Sequence, residues 1–388
     1  MATERISKEQ AGWLASEVAA WRAEGLVDEG TAAAIEGRYR VQEDRRGVPL
    51  LLFLGAALFG VGIIWLVAAN VDFDEIGPLA RIAGVAVVWL ALVAVGEALD
   101  AHERWRPVAG PVRLLAALAF GGVVFQAAQS LQVPAFAPQL VFAWGIGALA
   151  YAYATGARGP LIIAIAALAG WYTWVLLDEG EGPSVILGFV IACPVAAAAG
   201  AASAGHFTGP WRFAAAAFGL LGLGCATVPD IADGDLPATL PLVLGALAGI
   251  AAVAIGMTRS PEDRRELLGA AGLAIAAALL VAVAPENAPD LGGGDRPSGA
   301  ETAFTLLACG LFLAAAVGVA LQGARTQQGS LSDLAYGALL VFLAVQSFGL
   351  LATLVSGAVL VLAVGAVLLV SGVLLDRGRR RLVNEAAG

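Results

Sequence analysis

The sequence predicts an all-α fold, a polytopic transmembrane helical bundle of about 12 spans with a small N-terminal helical hairpin ahead of it. Three observations carry this prediction. Of the 388 residues, 59% are hydrophobic and only 14% are charged, against roughly a quarter charged in soluble proteins. From Pro49 onward, apolar runs of about twenty residues recur, each long enough to cross a hydrocarbon core of roughly 30 Å. Arginines gather on alternate connections between these runs, which fixes an orientation.

Residues 1–47 read as a separate polar unit. Ser7 and Gln10 make a capping-box pattern, Leu14, Val18 and Trp21 follow at helical spacing, and Gly25 suits a helix C-terminus. A second short helix carries Ala32, Ile35 and Tyr39 on one face. The pair is expected to lie on the cytosolic side of the membrane or to dock a protein partner. A DNA-reading helix pair is disfavoured: within residues 1–36, Glu4, Glu9, Glu17, Glu24, Asp28, Glu29 and Glu36 outnumber Arg5, Lys8 and Arg22, whereas phosphate binding wants the opposite sign. No nucleic-acid partner is expected.

The membrane domain is placed at residues 48–377, with spans at 50–69, 79–98, 114–133, 139–155, 160–177, 184–202, 211–228, 240–257, 267–284, 301–322, 332–348 and 354–375, followed by a basic tail at 378–388. The first run ends in a "VAA" that resembles a cleavage site, but its length of about twenty residues fits an uncleaved span. Arg38, Arg40, Arg45 and Arg46 precede span 1 and mark that side as cytoplasmic. The alternation then puts Arg104, Arg106, Arg113, Arg158, Arg212, Arg259, Arg264, Arg265 and Arg325 inside, together with the "DRGRRR" tail. Outer connections are acidic, as in "NVDFDEIGP" and "DEGEGPS". An even number of spans with both termini cytoplasmic satisfies this bias. The richness in Ala, Gly and Val points to a bacterial source, hence to the bacterial inner membrane. Trp65, Trp89, Trp105, Trp171, Trp174 and Trp211 are read as interfacial anchors near span ends.

Gly-Pro recurs at 110–111, 159–160 and 209–210, where proline is expected in a first helical turn, and "GPVRLLAALAF" and "GPWRFAAAAF" share an arginine. Alanine-rich helices resemble one another cheaply, so chance similarity is favoured over a true repeat. Cys193, Cys225 and Cys309 fall at different depths and read as small buried hydrophobes. The net charge of −9 is spread over short loops and does not mark a basic partner.

Chemistry-bearing motifs are sparse. The two histidines, His102 and His206, stand in separate inner loops, which gives no clustered metal ligands, and no cofactor motif is found. "GGGD" at 292–295 matches the GxGD of intramembrane aspartyl proteases in letters, but it sits in a Pro/Gly-rich loop and reads as a linker. No ionisable residue falls at the centre of a span, which disfavours proton or sodium coupling through a buried carboxylate.

What remains is "FQAAQSLQ", which sets Gln126, Gln129 and Gln132 three residues apart near the outer end of span 3, one slanted stripe on a helix. Asn70, Asp72 and Arg81 lie at a similar level. Together these six residues are the candidate ligand-binding set. The competing and favoured reading is that the glutamines tie helices together, a routine use of polar residues in bundles.

The ordered features "WRAEGLVDEGTAAAIEGRYR", "LLFLGAALFGVGIIWLVAAN", an arginine early in span 2 and the glutamines of span 3 resemble the bacterial predicted-membrane-protein family called domain of unknown function 2157, best over roughly residues 10–135. The arginine-rich end after the last span is also similar. In that family an aromatic residue often follows the asparagine and the glutamine, whereas here Val71 follows Asn70 and "SLQ" follows Gln129. The resemblance implies a topology and no activity, substrate or cofactor. Two functions are carried forward: a module that binds or passes a small polar or lipidic molecule at an outward-facing site, and a structural or assembly protein that recruits a partner through its hairpin. A membrane enzyme ranks third. The lipid bilayer is the expected partner, and an oligomer is compatible with everything above.

Overall fold

The computed structural model describes residues 4–6, 8–41, 77–132, 137–180, 182–203, 205–232, 239–284, 299–326 and 328–352, with the single residues 55 and 134. The chain divides into two compact units, Met1–Ala119 and Phe120–Gly388.

In the first unit, α1 (Lys8–Ala23) and α2 (Glu29–Arg38) are joined by a turn whose chemistry is local. Gly25 adopts φ +74°, and the amides of Gly25 and Leu26 reach back to the carbonyls of Arg22 and Trp21, a Schellman closure that the glycine makes cheap. Asp28 then caps α2, accepting from the Thr31 amide at 2.7 Å. Val18 and Ala32 are buried and Leu14, Trp21 and Ile35 half-buried, so the apolar spacing marks the packed faces. Ser7 and the Gln10 side chain lie outside what is described. Tyr39 does not extend α2. It opens a three-residue strand, β2 (Tyr39–Val41), paired in parallel with β1 (Glu4–Ile6), so the N-terminal segment is not purely helical. The pairing joins residues far apart in sequence, which helical periodicity does not report.

α3 (Pro78–Asp100) begins with Gly77 as N-cap and proline in its first turn, and ends in a short turn that leads to α4 (Arg106–Ser130). Trp89 falls in the middle of α3 and not near an end. α4 starts before the predicted span, so Pro111 stands inside the helix, and Pro210 does the same in α8 (Gly205–Ala226). Each forfeits a backbone hydrogen bond one turn past the position where proline costs nothing. Pro160 does sit in the first turn of α6 (Arg158–Glu179).

The second unit holds the end of α4, then α5 (Pro138–Thr155), α6, α7 (Gly182–Ala202), α8, the short α9 (Pro229–Ala232), α10 (Leu240–Gly256), α11 (Pro261–Ala282), α12 (Gly299–Arg325) and α13 (Gly329–Ala352). Its core is built on α7, whose Ile186 and Val190 are fully buried, with Leu220, Leu223, Leu280, Phe304 and Phe312 around them. Cys193 is buried among Ala196, Ala197, Ala214 and Ala215, as a small hydrophobe would be. Gly245 of α10 takes the Tyr172 hydroxyl against its Cα, where a Cβ would stand 2.3 Å from that oxygen.

Among the described residues, seven helices are long and apolar enough to cross a membrane: α3, α4, α6, α7, α11, α12 and α13. α10 is apolar but shorter. α5 and α8 occupy the predicted spans 139–155 and 211–228. The predicted spans 50–69 and 354–375 and the tail at 378–388 lie outside the described residues.

Candidate functional site

Helix α4 carries Gln126 and Gln129 on its final turns and stops at Ser130. Gln126 and Gln129 share one helical face. Gln132 leaves the stripe, because the helix ends two residues before it and its own backbone turns left-handed at φ +57°. Gln126 is half-buried, and its amide donates within its own helix, to the Ser130 hydroxyl at 3.4 Å. Gln129 and Gln132 are exposed. Among the described residues, no hydrogen bond joins any of these three side chains to another helix. The glutamine that does tie elements together is Gln346 on α13, whose amide reaches the Thr227 carbonyl after α8 at 3.4 Å. Arg81 stands half-exposed in the first turn of α3, in the first unit, whereas the three glutamines belong to the second. Asn70 and Asp72 lie outside the described residues.

Two arginine clamps went unread in the sequence. Arg113, buried to 7% exposure, donates through Nε to Glu97 at 2.9 Å, and its Nη2 meets both Glu97 and Asp100, the latter at 3.2 Å. Gly96 makes room for its stem. In the second unit Arg212 donates to Glu266 at 2.8 Å and lies 3.8 Å from Asp263. Each arginine follows a helix-internal Gly-Pro by two positions, and each is held by two carboxylates three residues apart, on one face of another helix. The sequence signal was present in "EALD" and "DRRE", but only a fold reveals which arginine meets which pair.

A third polar group sits where α5 and α7 end and α6 and α8 begin. The Trp211 indole N–H donates to the Tyr153 hydroxyl at 3.1 Å, Tyr153 lies 2.7 Å from the Ser203 hydroxyl, and Ser203 donates to the Ala199 carbonyl at 2.6 Å. This chain satisfies its own members and, among the described residues, gives Ser203 no base to activate it as a nucleophile. Beside it, Arg158 donates through Nε to the His206 carbonyl at 3.0 Å, and the His206 ring packs on Phe207. Among the described residues, no group of three or more His, Cys, Asp or Glu is placed to hold a metal ion.

Apolar helices of spanning length and tightly satisfied polar clamps define a multi-pass membrane protein. Residues 19–161 match the family model for predicted membrane proteins of domain of unknown function 2157, so the resemblance is borne out over that stretch. No curated protein and no solved structure matches the chain.

Proposed function

We propose that the protein is a twelve-span protein of the bacterial inner membrane, with both termini cytoplasmic, that binds or passes a small polar or lipidic molecule at an outward-facing site. Gln126, Gln129 and Gln132 supply amide donors and acceptors there, with Asn70, Asp72 and Arg81 as the charged and polar groups of the same side. One observation supports this reading above the helix-tying one: the glutamine side chains make no hydrogen bond to another helix among the described residues. An amide facing hydrocarbon without a partner costs several kcal/mol on apolar transfer scales, so such groups belong against water or a ligand.

Cysteine accessibility tests it. In a cysteine-free background, cysteine at 126 or 129 should react with a membrane-impermeant maleimide added outside, and cysteine at Leu118 in the same helix should not. A folded protein unlabelled at both 126 and 129 would rule out an open outer site. Recruitment of a protein partner through α1 and α2 is the second reading. It is supported by Leu26, which stands 68% exposed in the turn between them.

A further inference from the structure

We propose that the corner formed by Arg158 and His206, flanked by Tyr153 and Trp211, binds a phosphate group, and that its natural source is the headgroup of an anionic phospholipid in the leaflet at that end of the helices. The starting point is the arginine. Its Nε–H is committed to the His206 carbonyl at 3.0 Å, which fixes the plane of the guanidinium and leaves its two terminal amino groups without a partner among the described residues. A planar fork held in this way suits two oxygens of one phosphate. The His206 imidazole is exposed beside it, with its ring centroid 4.2 Å from that of Phe207, and adds a ring N–H donor.

Among the described residues, no carboxylate pairs with Arg158. α5, α7 and α8 contain no Asp or Glu, and the carboxylates of α6, Asp178 and Glu179, are at its far end, about 30 Å away at 1.5 Å per residue. Asp263 and Glu266 are taken up by Arg212. A cationic spot with no counter-ion among the described residues, in a chain of net charge −9, is a place for an external anion.

The surroundings favour a lipid over a free ion. Ile162 stands one turn above Arg158 on the same face of α6 and is 52% exposed, and Phe213 stands two turns above His206 on α8 and is 40% exposed. These side chains lead from the polar corner along the apolar helices, the path an acyl chain would take. Tyr153 and Trp211, joined to each other by a hydrogen bond, provide the amphipathic rings that sit at headgroup depth.

The test uses the full chain purified in neutral detergent, with thermal unfolding followed as phosphatidylglycerol, phosphatidylcholine or inorganic phosphate is titrated. Phosphatidylglycerol should raise the transition in a saturable way and phosphatidylcholine should not. Arg158→Gln should weaken half-saturation by about tenfold, the loss of one charge-assisted contact. His206→Gln, which retains the backbone carbonyl that orients the arginine, should weaken it less and serves if Arg158→Gln does not fold. Arg259→Gln, an exposed arginine on the α10–α11 connection, should leave it unchanged. Equal shifts with both lipids, unchanged half-saturation in both corner variants, or an equal loss in Arg259→Gln would overturn the site. A saturable effect of inorganic phosphate at the same concentrations, lost in Arg158→Gln, would overturn the lipid as its source.

Discussion

Arg212 on α8 donates its Nε–H to Oε2 of Glu266 on α11 at 2.8 Å. The two side chains are only 17% and 18% exposed, so this contact is mostly withdrawn from solvent and is not the kind of surface pair that contributes little. Asp263, 3.8 Å away, shares the guanidinium, and its own amide is capped by the Ser260 hydroxyl. The start of α11 is thereby pinned to α8.

Removing the arginine should strand two carboxylates in a partly buried site. Arg212→Ala is expected to destabilise the folded protein by roughly 1–3 kcal/mol, and Glu266→Gln by less, since Asp263 remains. Thermal unfolding in detergent of both single variants and of the double variant reads the coupling. A double variant whose loss equals the sum of the two would mean that the contact carries no interaction energy.

Asp28 gives a pH dependence. Its carboxylate accepts from the side chain and the amide of Thr31, which hold its pKa below the ordinary aspartate value. A carboxyl lowered by folding contributes stability that is present above the ordinary value and lost as pH falls through the lowered one. Exchange protection of the first amides of α2 should therefore be constant near neutrality and fall only below the ordinary aspartate range. Asp28→Asn, which still caps, should remove that fall. An unchanged profile in the variant would assign the acid response to another group.

The topology has its own test. Reporter fusions after Gly180 and Asp235 are expected to report the periplasm, and fusions after Arg158 and Arg325 the cytoplasm, as the arginine distribution requires. Reversal at any two of these positions would break the alternation on which twelve spans rest.

The helices were legible because their signals are local. A run of apolar residues has the right length or does not, Gly25 has no Cβ to oppose a left-handed turn, and arginine is costly to translocate. The pairing of β1 with β2, and the choice of Glu97 with Asp100 for Arg113, depend on which distant segments meet. Gln132 falls off the stripe because α4 stops at Ser130, which nothing in "QSLQ" announces, with no proline or glycine until Pro134. The candidate site was legible as a set of residue types. Whether its amides tie helices or face outward was not, because a glutamine's partners are a property of the fold.

The glutamines can be set against one another. Gln346 spends its amide on the Thr227 carbonyl, joining α13 to the end of α8, whereas Gln129 is exposed and has no such bond to another helix among the described residues. If the helix-tying role belongs to Gln346, then Gln346→Leu removes an inter-element hydrogen bond and leaves a carbonyl short of a donor, a loss of about 1 kcal/mol. Gln129→Leu removes no such bond and should leave thermal stability in detergent within about 0.5 kcal/mol of the parent. The two substitutions change side-chain volume and polarity in the same way, so the comparison isolates the partner. A destabilisation by Gln129→Leu as large as that by Gln346→Leu would show that Gln129 holds another helix, and the outward-facing site would lose the observation that supports it. A silent Gln129→Leu, combined with maleimide labelling at the same position, would leave an amide whose purpose lies outside the fold, available to a ligand.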